Sequence, residues 1–133
     1  MPIDASLVGR EFPPTAPYPV TEVKVREFAT AIGAPVVEGV VPPTFPIVVA
    51  FAAMNDFLAD VEADLFRIVH GEQRFAYERP VRPGDVLTAT LTVDTLRQIG
   101  GNDIIGTSSL ITDADGEVVC RTKSTLIHRG ETS

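Results

Sequence analysis

Histidine, carboxylate and hydroxyl side chains are the groups of this sequence that could transfer protons or attack a substrate. The chain has two histidines, His70 and His128. An imidazole titrates near neutral pH, so a histidine is the first candidate for a general acid or base. Glu38 is the second candidate, because it is the one ionisable residue of an apolar loop. Ser108 and Ser109 have no histidine at a recognisable spacing, which gives no support to a serine hydrolase.

The stretch Pro42–Asp60 predicts a central helix around which the other elements pack. Residues 45–54 include no polar side chain, which is typical of a helix enclosed by protein on every face. Thr44 is predicted to cap this helix and Pro46 to occupy its first turn. A membrane span needs about 20 apolar residues, and polar residues already begin at Asn55. We therefore expect a buried helix and no membrane span.

The remaining elements are predicted from periodicity. Apolar residues at helical spacing predict a surface helix over residues 22–32, with Thr21 as N-cap and Gly33 as C-cap. A short strand is expected near Tyr18–Val20. Alternating residues predict strands over residues 65–77, 87–96, 104–112 and 118–127, with a bulge at Gly71 and turns at 83–85, 100–103 and 113–116. An antiparallel sheet curled around one apolar helix is an α+β hot-dog fold.

Composition limits the domain organisation and the partners. The chain of 133 residues is 44% hydrophobic, which predicts one domain, residues 1–133, with an extended arm at 1–20 and a flexible tail at 129–133. The net charge of −7 argues against a nucleic-acid partner. The N-terminus resembles no secretory signal, so a cytoplasmic protein is expected. A single cysteine and two histidines predict no disulfide and no metal site, and no cofactor is expected.

Several segments resemble a known family. They are APVVEGVVPPTFPIVVAF, the stretch from His70-Gly71-Glu72-Gln73 through Arg79-Pro80 into Pro83-Gly84-Asp85, and the closing DADGEVVCRTKSTLIHR. These segments are similar to the MaoC-like hydratase/dehydratases, in particular to their N-terminal-type FAS1-like dehydratase domains. The resemblance implies hydration or dehydration of (3R)-hydroxyacyl thioesters, on CoA or acyl carrier protein (ACP), by paired hot-dog subunits. It also implies that some small subunits lack catalytic residues and associate with a catalytic partner chain.

The resemblance implies an Asp and a His, five residues apart, in the loop before the central helix. That loop, Ala34–Pro43, contains neither, and Glu38 is its only ionisable residue. Catalytic members also present a backbone amide at the helix N-terminus to the thioester carbonyl. Proline has no amide hydrogen, and residues 42, 43 and 46 are prolines. The amides of Thr44, Phe45 and Ile47 are the remaining donors.

Two classes of function therefore compete, with a third beside them. In the first, the chain holds the acyl chain in an apolar groove while a partner supplies Asp and His. The predicted groove residues are Thr44, Phe45, Val48, Val49 and Ala52. In the second, the chain is itself a weak hydratase or a hot-dog thioesterase that uses His70 or Glu38. The third is a binding module that recognises an acyl thioester without reacting it. Either a homodimer or a heterodimer is expected, because a curled sheet leaves an unpaired edge strand.

Three further side-chain predictions belong to this interpretation. His70 could be a stand-in base or a thioester contact, and we favour a structural strand residue. His128, beside the tail, is expected to be solvated. Asp56 and Asp60, separated by four residues, could supply the helix carboxylate of hot-dog thioesterases, and we favour solvated carboxylates at a polar helix end.

Overall fold

The computed structural model describes residues 5–63 and 65–130. Two α-helices, α1 (Glu22–Ala31) and α2 (Ile47–Asp60), precede most of the sheet. The strands are β1 (Tyr18–Pro19), β2 (Ile68–Tyr77), β3 (Val86–Ile99), β4 (Asn102–Thr112) and β5 (Val118–His128). Single turns of 3-10 helix occur at Ala5–Leu7 and Leu65–Arg67. The strands form one antiparallel sheet in the order β1-β3-β4-β5-β2. The sheet curls over α2, which confirms the predicted hot-dog fold.

The β3-β4-β5 meander follows the predicted alternation closely. On β3 the residues Leu87, Ala89, Leu91 and Val93 are all buried, because successive side chains of a strand point to opposite faces. The β3–β4 hairpin has the two-residue loop Gly100–Gly101, whose φ angles of 60° and 82° lie in the left-handed region. Glycine adopts that region at little cost, as a tight primed turn requires.

Helix α2 packs one face on the sheet and leaves the opposite face open. Its buried residues are Val49, Ala50, Ala53, Met54, Phe57 and Leu58. Ala52 is exposed, and Phe51 retains 42% of its accessible surface. The prediction of a helix enclosed on every face is therefore wrong. The described sheet and arm reach only one side of the helix, and the apolar residues on the other side face outward.

The start of α2 also differs from the prediction. Thr44 does not cap the helix: Pro46 occupies the N-cap position, and no side chain within residues 5–63 and 65–130 caps it. The segment before the helix forms tight turns instead, with the Phe45 amide donating to the Pro42 carbonyl and the Ile47 amide to the Thr44 carbonyl. By contrast, Thr21 caps α1 as predicted, because its hydroxyl accepts a hydrogen bond of 3.1 Å from the Lys24 amide.

The edge strand β2 begins later than predicted. Leu65–Arg67 forms a 3-10 turn, and Phe66 in that turn is 94% exposed. The strand runs from Ile68, and its register with β5 shifts between His70 and Glu72. That shift confirms the predicted bulge at Gly71, the residue between them.

His128 is buried rather than solvated. Strand β5 extends to His128, which pairs with Ile68 on one side and Asp103 on the other. The alternation from Leu126 turns the imidazole inward, so only 7% of the residue remains exposed. Its Nδ1 lies 3.6 Å from an Asp103 carboxylate oxygen. The prediction failed because the strand continues one residue further and therefore brings this side chain to the inner face.

The N-terminal arm covers the β3 edge of the sheet. Leu7 and Phe12 of the arm are buried in the core, and the Phe12 ring meets that of Phe57 edge to face at 5.0 Å. Residues 1–4 of the predicted arm and 131–133 of the predicted tail lie outside the described residues. Of the tail, the Arg129 amide donates to the Arg67 carbonyl and the Gly130 amide to the Asn102 side chain.

Candidate functional site

An open apolar groove runs between α1, the start of α2 and the edge strand β2. Its volume is about 540 Å³, within the range of about 300–1,000 Å³ that is usual for small-molecule sites. The lining residues are Phe28, Ile32, Thr44, Ile47, Phe51, His70, Gly71, Glu72, Gln73 and Phe75. The groove therefore combines two helix faces with one strand that, among the described strands, pairs on a single side.

Two pairs of apolar side chains form the helical walls of the groove. Phe28 and Ile32 belong to α1 and its C-cap, whereas Ile47 and Phe51 belong to α2. Each pair is separated by four residues, which places its members on one helix face. Ile32 and Phe51 remain 50% and 42% exposed. Contiguous apolar surface of this kind is typical of a site that binds a ligand or a partner.

His70 is one of the polar residues that line the groove, with Thr44, Glu72 and Gln73. Its Nε2 lies 3.1 Å from the Glu72 carbonyl oxygen. A carbonyl only accepts, so Nε2 is the donor in this contact and carries the ring hydrogen. The ring also meets Phe51 edge to face, with centroids 5.7 Å apart. These contacts hold the imidazole across the β2 bulge, as a structural strand residue would be held.

The backbone amides at the start of α2 are already in use. The Phe45 amide donates to the Pro42 carbonyl, and the Ile47 amide to the Thr44 carbonyl, each at 3.0 Å. Stabilising a thioester oxyanion needs donors aimed at the position where the charge develops. Thr44, Phe45 and Ile47 have the three amides that the prolines of this segment leave as donors. Two of them, those of Phe45 and Ile47, are therefore already used in backbone turns.

Glu38 lies away from the groove. It borders a separate hollow of about 320 Å³ between α1 and the loop of residues 34–43, beside Arg26, Val36, Val37 and Val40. The two hollows share no lining residue. The structure therefore does not bring the two candidate proton carriers, His70 and Glu38, into one site.

Residues 5–63 and 65–130 give no support to a metal site or a membrane-spanning helix. Among them no cluster of three or more histidine, cysteine or carboxylate residues could hold a metal ion. Within the same ranges, no helix is both long and apolar enough to cross a bilayer. Cys120 is buried in the core, where burial raises the pKa of its thiol and so disfavours the reactive thiolate.

Comparison with known proteins identifies the family. The family described as "FAS1-like, dehydratase domain region" matches residues 6–122. The chain belongs to the FAS1-like dehydratase domain family. A UPF0336 protein of Leifsonia xyli subsp. xyli is 45% identical over 147 residues, covering 98% of this chain and 99% of its own length. This membership confirms the MaoC-like resemblance.

Solved structures support the same assignment. A chain of the C-terminally truncated HadBC (3R-hydroxyacyl-ACP dehydratase) complex from Mycobacterium tuberculosis superposes with a TM-score of 0.78 at 28% identity. The match covers 91% of this chain and 96% of that one. A MaoC-like dehydratase superposes with a TM-score of 0.77 at 26% identity, covering 94% of this chain and 43% of that one.

In this FAS1-like dehydratase domain, the five predicted groove residues lie in three different environments. Thr44 lines the groove. Phe45 and Val49 are fully enclosed in the core, and Val48 is partly buried against it. Ala52 is exposed on α2. That these five residues bind an acyl chain stays a prediction. Of the five, only Thr44 lines the groove together with His70.

Sequence reasoning missed the other aromatic and aliphatic walls of the groove. They are Phe28, Ile32, Ile47, Phe51 and Phe75. A signal was present in the two pairs with four-residue spacing, one on each helix. The all-apolar α2 sequence hid it, because no polar stripe separates the outward face from the core face.

A hydroxyl ties the edge strand to the segment before α2. The Tyr77 hydroxyl donates to the Pro43 carbonyl. Burial, with a smaller contribution from the nearby Cys120 thiol, raises the pKa of Tyr77. The hydroxyl therefore stays protonated at neutral pH and remains a donor, which fixes the Thr44 end of the groove to β2.

An ion-pair network anchors the segment that follows β2. Arg79 donates to both carboxylate oxygens of Asp85, at 2.9 and 3.2 Å, and to Asp113 at 3.1 Å. Partial burial alone would raise the pKa of the Asp85 carboxyl, but hydrogen bonds from Arg79 and the Arg82 amide bring it below its ordinary value. The hydrogen bond from Arg79, with those from the Glu117 and Asp115 amides, lowers the pKa of Asp113. The Arg79-Pro80 and Pro83-Gly84-Asp85 motifs thus support the fold.

Proposed function

We propose that this chain is the acyl-holding subunit of a (3R)-hydroxyacyl-thioester dehydratase or enoyl-thioester hydratase, and that a second hot-dog chain supplies the catalytic Asp and His. The reaction adds water reversibly across the C2–C3 double bond of the enoyl thioester: the oxygen bonds to C3 and a proton is delivered to C2. We assign the complex to cytoplasmic fatty acid metabolism, with CoA or ACP as the carrier.

The observation that carries the proposal is the combination of an apolar groove with missing proton carriers. The loop of residues 34–43 has neither Asp nor His. His70 and Glu38 lie at different hollows, and the amides of Phe45 and Ile47 are occupied. Holding an acyl chain needs only apolar surface, whereas hydration needs a positioned acid and base.

The free edge of β2 supports a heterodimer. Among the described strands, β2 pairs with β5 alone, so its other side presents unpaired backbone groups. The groove opens beside this edge, and a partner chain seated there would cover both. The similarity to a chain of a 3R-hydroxyacyl-ACP dehydratase complex favours a catalytic hot-dog chain as that partner.

The test uses this chain and the candidate partner, a hot-dog chain of the same organism with Asp and His before its central helix. Each is purified alone and in a mixture, and hydration of a trans-2-enoyl-CoA thioester is followed. We expect this chain alone to be inactive and the mixture to exceed the partner alone. Ile47→Trp should reduce the activity of the mixture by filling the groove, whereas Val23→Trp, on the exposed side of α1, should not.

The alternatives give different results in the same assay. Hydration or thioester hydrolysis by this chain alone, abolished by His70→Ala or Glu38→Gln, would favour a self-sufficient enzyme. Acyl-CoA binding without turnover, alone or with any hot-dog partner, would favour a non-enzymatic binding module. Turnover by the partner that is indifferent to this chain would overturn the proposal.

A further inference from the structure

The groove has two distinct ends. One wall runs from Thr44, which precedes α2, through Ile47 to Phe51 on the helix. At the Thr44 end the neighbouring element is the Tyr77 end of β2, since the Tyr77 hydroxyl bonds the Pro43 carbonyl. At the other end Phe51 meets His70. From Ile47 to Phe51 the helix rises about 6 Å, so the α2 part of this wall spans roughly one helical turn.

Two aromatic rings meet at the Phe51 end of the groove. The rings of Phe51 and His70 are 5.7 Å apart with an interplanar angle of 69°, the edge-to-face geometry that aromatic pairs prefer. The His70 ring is in turn held by its Nε2 contact of 3.1 Å with the Glu72 carbonyl. Phe51 therefore has a restrained neighbour, although 42% of its own surface is exposed.

On the α2 side, the surface beyond this ring pair is polar. The next turn of α2 carries Asn55 and Asp56, both exposed. A methylene that passed Phe51 along α2 would lie beside an amide, a carboxylate and water, and would gain no apolar cover from the helix. Between Thr44 and Phe51, in contrast, the groove lining includes Ile47 and the aromatic rings of Phe28 and Phe75.

We propose that Phe51, positioned by His70, is the residue that limits the length of the acyl chain this subunit accepts. The inference rests on the proposed function and adds the determinant of chain-length specificity. Phe51 is the end wall, and His70 is a positioning residue that keeps the ring across the groove. Removing the ring would open space lined by Ile47 and His70, so further methylenes would become buried.

The experiment measures kcat/KM of the mixed complex for a series of straight-chain trans-2-enoyl-CoA thioesters lengthened by successive pairs of methylenes. Phe51→Ala should move the optimum to longer chains. For chains just beyond the wild-type optimum, kcat/KM should rise by up to about fourfold for each methylene that gains cover. Phe51→Trp should move the optimum to shorter chains.

Two further variants test the role of His70. His70→Ala should lengthen the optimum less than Phe51→Ala does, because the Phe51 ring remains but loses its fixed neighbour. His70→Phe keeps an aromatic edge at that position and should restore the wild-type profile. A purely structural role for His70 would lower the stability of the chain without changing the relative preference for chain lengths.

Phe66→Ala is the matched control, since it also removes an exposed phenylalanine ring but lies outside the groove lining. It should leave the chain-length profile unchanged. An active complex whose profile is the same for the wild type and the Phe51→Ala variant would overturn the inference while leaving the proposed function intact. A mixture no more active than the partner alone, at every chain length, would instead overturn the proposed function.

Discussion

The two edges of the sheet differ, because one is covered by the chain and the other is open. At the β3 edge the chain covers itself: the Gly9 and Phe12 amides donate to the Val93 and Leu91 carbonyls at 2.7 and 2.8 Å. Thr15 adds two bonds to Ala89, one from its amide and one to its hydroxyl. At the β2 edge no described strand pairs outside β5, and Val69 is 42% exposed.

This difference indicates that the covered β3 edge stabilises the fold, whereas the open β2 edge is an interaction surface. An unpaired edge is a template for association, and proteins that do not associate there usually cover it. The arm performs that task on one side with buried apolar residues, Leu7 and Phe12. The other side keeps an open edge beside an apolar groove. Mutations at the covered edge should therefore act on folding, and mutations at the open edge on assembly.

The largest effect is expected from Phe12→Ala at the covered edge. Phe12 is buried and packs edge to face on Phe57, so removing its ring leaves a cavity. The free energy of unfolding should fall by about 3–5 kcal/mol, measured by urea denaturation. Glu11→Ala, at the exposed neighbouring position, should change it by less than about 0.5 kcal/mol. Equal effects of the two substitutions would show that the arm does not hold this edge.

The next effect concerns association at the open edge. Val69→Lys places a charge on β2, which should weaken the complex with the catalytic partner at least about tenfold, or about 1.4 kcal/mol. The control is Val23→Lys, on the exposed side of α1. Sedimentation equilibrium measures the complex, and urea denaturation should show similar stability for both variants. An unchanged dissociation constant for Val69→Lys would place the partner elsewhere.

The comparison also explains what the sequence could predict. The strands of the meander carry a strict alternation, Leu87 to Val93 above all, so their buried face was evident before the structure. The exposed face of α2 was not evident, because every residue from Phe45 to Met54 is apolar and hydrophobicity alone cannot distinguish a core face from a groove. The burial of His128 depends on its register with Asp103, a tertiary feature. The lining of the groove also depends on tertiary structure, which is why only Thr44 of the five predicted groove residues lies in it.

A smaller effect on folding is expected from Arg79→Ala in the segment that follows β2. The pKa values of Asp85 and Asp113 lie below their ordinary range in the folded chain. Their interaction with Arg79 therefore stabilises the fold fully above the unfolded carboxyl pKa of about 3.9, and this contribution is lost as the pH falls through the lower folded values. The stability difference between wild type and variant should be constant near neutral pH and shrink in acid.

Urea denaturation between neutral pH and about pH 3 measures that difference. Arg121→Ala is the control, because it removes an exposed arginine whose partner, Glu78, is also exposed, and exposed pairs contribute little. Arg79→Ala should therefore cost more than Arg121→Ala at pH 7. A difference that grew as the pH fell would contradict the assigned direction of the carboxyl pKa values.

The smallest effects compare one surface arginine at each edge. Arg10, on the arm, pairs with Asp60 at 3.2 Å and lies over the Phe12 ring at 4.6 Å. Arg74, on β2, pairs with the neighbouring Glu72 in an exposed position. Exposed ion pairs contribute little and are screened by salt, whereas an exposed cation–π contact adds about 0.5–1 kcal/mol. Arg10→Ala should therefore destabilise the isolated chain more than Arg74→Ala does.

The order should reverse when assembly is measured instead of folding. Arg74 lies on the strand that we expect the partner to cover, so Arg74→Ala should change the dissociation constant of the complex, while Arg10→Ala should leave it unchanged. Urea denaturation of the isolated chain and sedimentation of the complex provide the two measurements. If Arg10→Ala weakened the complex as much as Arg74→Ala, the covered edge would also contact the partner, and the division between a folding edge and an assembly edge would fail.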